Sequence, residues 1–502
     1  MYSSYVRALR DLDVAQRRLL DAADKYKQFL DQNLLWIPSA KPFWIQHVAN
    51  LGPATLWAAS PVSWSNTVGS LREAFKYSPL PFAAATVLLA FLLYSRRALT
   101  VRFKALNRKV GHPATDHIGL TIGALGISAL RALPIPLMLA VFGWGLTRSP
   151  LNTGFTAAVA ASLHVVAPFL YNTLLFRILC SENGVMQIHF GWSAEHLPII
   201  RTQLDRLTLV GVPIIFIAVL MFYSPTPAYR ESLGRLAFII AMVIFTGVAH
   251  ALLHPRTGVA AVYYRTHAAN WLSRLRWVWY ALGTGSPVLL ALASLLGFLY
   301  TAATLTGHLI DTFLLFLIII VINLVVTRWL ALAWRRIAWE AEREAREEKP
   351  DVASEEYGSD DSALPTISST ALDLEAVDQQ TKRLVIAGSI LFGVLAAWGL
   401  WSEIVPALSI LDQVSLWSQT KMIDGVETYA LVTLDDLLLA LVVAVVTIIA
   451  ATNLPGLMEI AVLQRITLQP GSRYAINTLL RYVVTTIGVI AVLNIVGWKW
   501  SQ

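Results

Sequence analysis

Continuous apolar runs recur along most of this 502-residue chain. Many approach the roughly 20 residues that an α-helix needs to cross about 30 Å of hydrocarbon. In lipid every backbone N–H and C=O must be satisfied within the structure, which leaves helices and closed β-barrels as spanning solutions. Barrel strands read as alternating segments of about ten residues. The runs here do not alternate, so helices are expected. Hydrophobic residues make up 56% and charged residues 14% of the chain, against roughly 25% charge in soluble domains. The expected fold class is therefore all-α: a polytopic helical membrane protein with about ten transmembrane helices.

The apolar runs place spans near residues 79–95, 118–146, 155–178, 206–223, 233–252, 277–300, 306–331, 384–402, 430–452 and 475–498. Pro134 and Pro136 predict a kink in the second, which neighbouring helices tolerate in a membrane. Residues 3–35 carry Leu9, Leu12, Ala15, Leu19, Leu20, Ala23 and Tyr26 near i, i+3, i+4 spacing with charges between. That pattern predicts an amphipathic helix, the tail of a coiled coil or helical domain. Pro38, Pro42, Pro53 and Pro61 make residues 36–78 an irregular connection with short amphipathic pieces. The N-terminal segment lacks the apolar stretch of a signal peptide. Either the first hydrophobic helix inserts the chain, or the chain begins inside a longer protein.

Loop charge orients the spans. Ser95–His112 contains Arg96, Arg97, Arg102, Lys104, Arg108 and Lys109 and no Asp or Glu, and Leu253–Arg276 contains Arg256, Arg265, Arg274 and Arg276. Alternate connections are poor in positive charge; 402–429 has Lys421 against Glu403, Asp412, Asp424 and Glu427. The positive-inside rule then puts the loops after odd spans in the cytoplasm and both termini outside. The seventh span exits at Arg335 and Arg336 and continues as a solvated helix, with Glu342–Arg346 and Arg343–Glu347 as i,i+4 pairs. Residues 351–381 are acidic without Lys or Arg, a composition that predicts a disordered cytoplasmic linker. Four regions are expected: an extracytoplasmic helical tail and connection (1–78), a seven-span accessory bundle (79–350), the linker (351–381), and three further spans (382–502).

Ionisable residues at membrane depth are the default functional candidates: Arg131, Asp311, Asp435 and Asp436. They could serve substrate or protons in a secondary transporter, or form an interhelical ion pair or reach the interface. Two matched halves with broken helices, which an inverted-repeat transporter would show, do not emerge. His250 and His254 are i,i+4, but Pro255 follows and no acid adjoins them, so no metal site is expected. With no HExxH motif, nucleophile elbow or phosphate loop, neither enzymatic activity nor a cofactor is expected. No basic run interleaved with aromatics suggests nucleic acid. Cys180 is the sole cysteine, so an intramolecular disulfide is impossible. Gly123/Gly126 and Gly283/Gly285 suggest close helix contacts, and Trp277, Trp279, Trp329, Trp401 and Trp498 an aromatic belt.

The most specific segment is 452–482, TNLPGLMEIAVLQRITLQPGSRYAINTLLRY. Asn453-Leu-Pro455-Gly456 should stop the ninth helix, Leu457–Leu468 should form a short amphipathic piece, and Pro470-Gly471 should turn the chain into the last span. Asn453–Pro455, Gly471–Ile476 and Trp498 together resemble the corresponding loop and helix of the MscS family of mechanosensitive channels, in its large MscK/MscM type. Leu34–Ser39 is a second, weaker match. The resemblance implies a tension-gated ion channel, an osmotic safety valve in the bacterial inner membrane, assembled as a homo-oligomeric heptamer with membrane lipids as partners. It makes spans one to eight the tension-sensing accessory block and spans nine and ten the first two channel helices. Asn453, Pro455, Gly456, Pro470, Gly471 and Tyr474 then form a candidate coupling hairpin.

In the family a Gly- and Ala-rich pore helix and a cytoplasmic vestibule follow, and this sequence ends at Trp500-Ser501-Gln502 before either. The expectation is the membrane-sensor portion of a channel. The alternatives are a secondary transporter using Arg131, Asp311 or Asp435, and a pore-less regulatory subunit. On this reading the 502-residue chain patch-clamped alone carries no tension-activated current. A robust conductance would contradict it.

Overall fold

The computed structural model describes residues 2–44, 46–112, 115–151, 153–268, 271–347, 388–407, 415–423, 426–461 and 470–497. The acidic linker expected at 351–381 and Trp498 lie outside the described residues. Helices dominate. They are α1 (Tyr2–Asn33), α2 (Pro61–Tyr77), α3 (Pro79–Arg108), α4 (Ile118–Ala132), α5 (Pro134–Arg148), α6 (Gly154–Leu179), α7 (Leu197–Phe222), α8 (Pro227–Leu253), α9 (Arg276–Leu296), α10 (Leu299–Glu347), α11 (Gly388–Trp401), α12 (Leu434–Ala461) and α13 (Pro470–Val496).

Among the described residues eight helices are long and apolar enough to cross a membrane: α3, α6, α7, α8, α9, α10, α12 and α13. The pair α4 and α5, bent by 52°, makes a ninth if it crosses as one broken span. The expected second span is thus two helices. Pro134 starts α5, where its missing N–H is tolerated and its ring blocks continuation of α4. The expected eighth span is described only from Gly388, as a helix shorter than a full crossing.

Three further expectations need correction. The basic stretch after the first span is not a loop, because α3 continues to Arg108 and carries Arg96, Arg97, Arg102 and Lys104 on its last turns. Asn453-Leu-Pro455-Gly456 does not stop the ninth helix, since α12 runs through Pro455 to Ala461, although the stretch apolar enough to cross a membrane ends at Thr452 as expected. A proline removes one helical hydrogen bond, a loss that a membrane helix can absorb. Residues 462–469, the remainder of the expected hairpin, lie outside the described residues. The ninth span also begins later than residue 430, because Val426–Thr433 is a strand. It pairs antiparallel with Ser415–Ile423 in the register Ile423↔Val426, Lys421↔Thr428 and Gln419↔Ala430.

The chain divides into two units. Met1–Ile37, His308–Asn323 and Ala353–Gln502 form the first; Pro38–Gly307 and Leu324–Val352 form the second. In the first, Trp401 Nε1 donates to Thr312 Oγ1 at 2.9 Å, so this tryptophan is fixed by a hydrogen bond as well as by its place at the end of α11. In the second, the core gathers Leu146 of α5, Phe155 and Val159 of α6, and Leu220 and Met221 of α7. Trp57, on the short helix Leu51–Ala58, closes this cluster edge-on to Phe155 at 4.9 Å. Thr153 and Thr156 form a capping box that starts α6. A π-turn at Leu207–Gly211 precedes Pro213 in α7, where the ring nitrogen has no hydrogen to donate to an i−4 carbonyl.

A strap between α1 and the short helices lies along this second unit. Ala40 N–H donates to Gly297 O at 3.1 Å and Phe43 N–H to Leu295 O at 2.9 Å. Arg235 of α8 is wholly buried. Its Nη1 and Nη2 each donate to the Lys41 carbonyl at 3.0 Å, and its guanidinium lies 5.8 Å from the Phe43 ring centre. Gly297 has φ +108°, and a β-carbon there would run into the Ala40 carbonyl oxygen. Gly297→Val is therefore expected to destabilise the protein by about 2 kcal/mol, read as a lower thermal unfolding midpoint in detergent. An unchanged midpoint would show that the strap does not depend on this contact.

Candidate functional site

Two arrangements concentrate the polar and close-packed chemistry of the membrane region. The first, in the second unit, is at the end of the α10 apolar stretch, which extends to Ala333. Arg328 sits within it, near the hydrocarbon edge, where a cation needs a partner. Asp116, two residues before α4, supplies one. Arg328 Nη2 donates to Asp116 Oδ1 at 3.0 Å and Oδ2 at 3.1 Å, and the two side chains are only 12% and 6% exposed. Arg328 Nη1 donates to the carbonyl of His189, in the segment between α6 and α7. Asp116 Oδ2 also accepts from Gly111 N–H at 2.9 Å.

His189 extends the network. Its Nδ1 lies 3.1 Å from Thr121 Oγ1 of α4, and its Nε2 lies 3.0 Å from Asn107 Oδ1 of α3. Asn107 Nδ2 in turn donates to Asn183 O at 2.7 Å. Burial lowers the His189 pKa to about 4, helped by the Arg328 charge and opposed by Asp116. The imidazole is therefore neutral at physiological pH, with one nitrogen donating and the other accepting. These bonds tie α3, α4, the 180–196 segment and α10 together at one end of the bundle.

The second arrangement, in the first unit, is the pair α12 and α13, packed along each other. A β-carbon on Gly488 would come within 2.6 Å of Thr447 Cβ, so glycine is what allows the two backbones to approach. Asp435 and Asp436 occupy the first turn of α12. Asp436 Oδ2 accepts from Thr433 N–H at 3.1 Å and from Thr433 Oγ1 at 3.1 Å, and Asp435 Oδ1 also accepts from that hydroxyl. They cap the helix, where its dipole favours negative charge.

The other sequence candidates separate. Pro470 and Gly471 open α13, and Tyr474 on its first turn is 75% exposed. Asn453, Pro455 and Gly456 lie inside α12. Arg131 sits at the last turn of α4, beside the 52° bend, with its guanidinium 5.7 Å from the Phe103 ring centre. Asp311 is exposed on α10. Gly283 faces Leu253 and Gly123 faces Leu106, whereas Gly126 and Gly285 meet nothing within 4 Å. His250 Nδ1 pairs with the Tyr280 hydroxyl at 2.8 Å, and His254 Nδ1 accepts from Thr257 N–H at 3.1 Å. Among the described residues no group of three or more His, Cys, Asp or Glu could hold a metal ion. Burial pushes the Cys180 thiol up to about 12, which leaves it unreactive.

Sequence reasoning passed over Arg328 and Arg235, though both fall inside expected spans and the depth rule that selected Arg131 applies to them equally. Nothing local marks His189 or Gly488, whose roles depend on partners 68 and 82 positions away for His189 and on the facing helix for Gly488.

Residues 79–417 match the family described as "Mechanosensitive ion channel inner membrane domain 1". The matched region begins at the first residue of α3 and runs through α11 to the first strand. The chain is 28% identical to the miniconductance mechanosensitive channel MscM of Escherichia coli over 98% of its own length and 45% of that protein. It is 28% identical to the mechanosensitive channel MscK of Escherichia coli, over 98% of the chain and 42% of that protein. An uncharacterised MscS family protein of Haemophilus influenzae is 25% identical, with 98% and 44% covered. The chain thus spans less than half the length of these relatives.

Two measurements probe the Arg328 network. Asp116→Asn leaves a buried guanidinium without its counter-charge and is expected to cost about 3 kcal/mol of stability, read by chemical denaturation in detergent. A change below about 0.5 kcal/mol would assign the pair no structural weight. Because the folded-state pKa of His189 is depressed from 6.5 to about 4, the unfolded chain binds the proton more readily between those values. The stability contribution is complete above pH 6.5 and is lost as pH falls toward 4. His189→Gln should flatten that slope, and an unchanged slope would assign it to other groups.

Proposed function

This chain belongs to the MscS family of mechanosensitive ion channels, and on that premise we propose that it is the tension-sensing membrane part of such a channel. The observation that carries the reading is the match of 98% of the chain to two proteins named as mechanosensitive channels. The members of this family are ion channels rather than enzymes. The chain's own function is read here as an osmotic safety valve in the bacterial inner membrane, assembled as a heptamer with membrane lipids as direct partners. Clustered Lys and Arg near the ends of alternate spans support a cytoplasmic position for those ends and a periplasmic one for both termini.

Tension does work in proportion to the in-plane area a protein gains, so it shifts the balance only between states that differ in area. Bent and closely packed helix pairs suit that task. The α4–α5 break supplies a joint in the accessory bundle, and the Gly488–Thr447 contact supplies a tightly packed state of α12 and α13. Asn453, Pro455 and Gly456 at the end of α12, with Pro470, Gly471 and Tyr474 at the start of α13, would pass the movement to parts of a channel beyond this pair. Arg131, Asp311, Asp435 and Asp436 hold structural and interfacial positions in this reading, with no role in coupled transport.

Patch-clamp of host membranes tests the proposal. Deleting the gene should remove one class of suction-activated current. Gly488→Leu at the chromosomal locus overpacks the α12–α13 contact by about 1–3 kcal/mol and should lower the tension needed for half-opening by destabilising the compact state. A current indifferent to suction, or a deletion that leaves every suction-activated class in place, would overturn it.

A further inference from the structure

Beside the Arg328 network is a cavity of about 230 Å³. Its charged lining consists of Asp116, Arg328 and Arg335. Arg335 lies seven residues beyond Arg328, two turns along the same face of α10. His189, the remaining titratable group on the lining, is occupied on both ring nitrogens. Two guanidinium groups therefore stand against a single carboxylate, which leaves the cavity with positive charge in excess. Asp116 already takes both contacts from Arg328 Nη2, and Arg328 Nε is buried without an acceptor among the described residues. Arg335 is exposed to solvent.

Apart from Thr327, the remainder of the wall is apolar: Phe190, Leu324, Ala331 and Leu332. Depth is fixed by the helices themselves. The apolar stretch of α10 ends at Ala333, and Asp116 is two residues before α4. The cavity consequently opens at the boundary between hydrocarbon and headgroups, with cations at the aqueous end and hydrocarbon-like side chains at the other. This end also carries Arg108 and Lys109, which makes it the more basic face of the bundle.

The geometry points to a binding site for the phosphate of an anionic phospholipid, seated against Arg335 and Arg328 with an acyl chain along Leu324, Ala331 and Leu332. The ligand must be anionic, because a zwitterionic headgroup brings its own cation to a cavity already in positive excess. It must carry hydrocarbon, because the apolar wall gains nothing from free phosphate. The site is independent of whether the protein conducts ions, so its test can fail while the channel reading stands.

The test uses the full chain in detergent, with lipid retention measured by native mass spectrometry against added dioleoyl phosphatidylglycerol or dioleoyl phosphatidylcholine. Wild type should retain phosphatidylglycerol in preference. Arg335→Gln should lower that preference about fivefold, the factor for one basic residue near an anionic headgroup, and Arg335→Lys should keep most of it. Arg336→Gln removes an adjacent charge that does not line the cavity and should leave the preference unchanged. Arg335 is exposed, so unchanged thermal unfolding verifies that its variants are folded. Equal loss in Arg335→Gln and Arg336→Gln would mean a diffuse surface field and overturn the site. Displacement of phosphatidylglycerol by millimolar inorganic phosphate would make the ligand a free anion and overturn the lipid assignment. Equal retention of the two lipids would overturn it outright.

Discussion

A guanidinium near the edge of the hydrocarbon cannot be left alone, and the second unit is arranged around two of them. Arg328 is neutralised by Asp116 and then bonded to the His189 carbonyl, which draws α3, α4, the 180–196 segment and α10 into one network. Arg235 meets the same requirement differently. Among the described residues no carboxylate is in hydrogen-bonding contact with it; it satisfies two of its N–H groups on the Lys41 carbonyl, and in doing so holds the strap of residues 38–44 against α8 and α9. Burying either cation costs several kcal/mol before its bonds offset the loss. Their positions therefore constrain which helices can be neighbours, and the apolar packing fills in around them.

The first unit follows another rule. Between lipid-facing helices apolar burial gives little net driving force, so close approach of backbones and van der Waals contact decide the packing. Gly488 over Thr447 is such a contact. The capping of α12 by Asp435 and Asp436 fixes where that helix begins and joins it directly to the hairpin of Ser415–Ile423 and Val426–Thr433. A contact made by steric fit, such as Gly488 against Thr447, can be lost without unpairing charge. That property suits an element that responds to a stretched bilayer.

Much of this was legible from the residues. Hydrocarbon thickness sets helix length, so apolar runs located most spans, and Pro134 located the bend in the second. Loop and helix were confused where charge was the guide: Arg96 to Arg108 look like a loop because they are polar, yet they extend α3. The strand pair was hidden because a short apolar run cannot by itself distinguish strand from helix. Asp424-Gly425 between alternating residues was the available signal, a dipeptide that favours two-residue hairpins. Asp435 and Asp436 read as intramembrane acids, whereas they form the first turn of α12 and bond to Thr433. The Asp116–Arg328 pair spans 212 positions, and no local pattern could have joined its members.

Tension sensing, as proposed for this chain, requires the membrane bundle to gain in-plane area when the bilayer is stretched. Spin labels at Leu209→Cys on α7 and Leu289→Cys on α9, in a Cys180→Ala background, give the direct measurement, since both leucines are exposed and both lie in the second unit. Dipolar spectroscopy in liposomes should show the mean separation increasing when lysophosphatidylcholine is added to one leaflet. An identical distance distribution with and without the lysolipid would rule out expansion of this bundle as the response to tension.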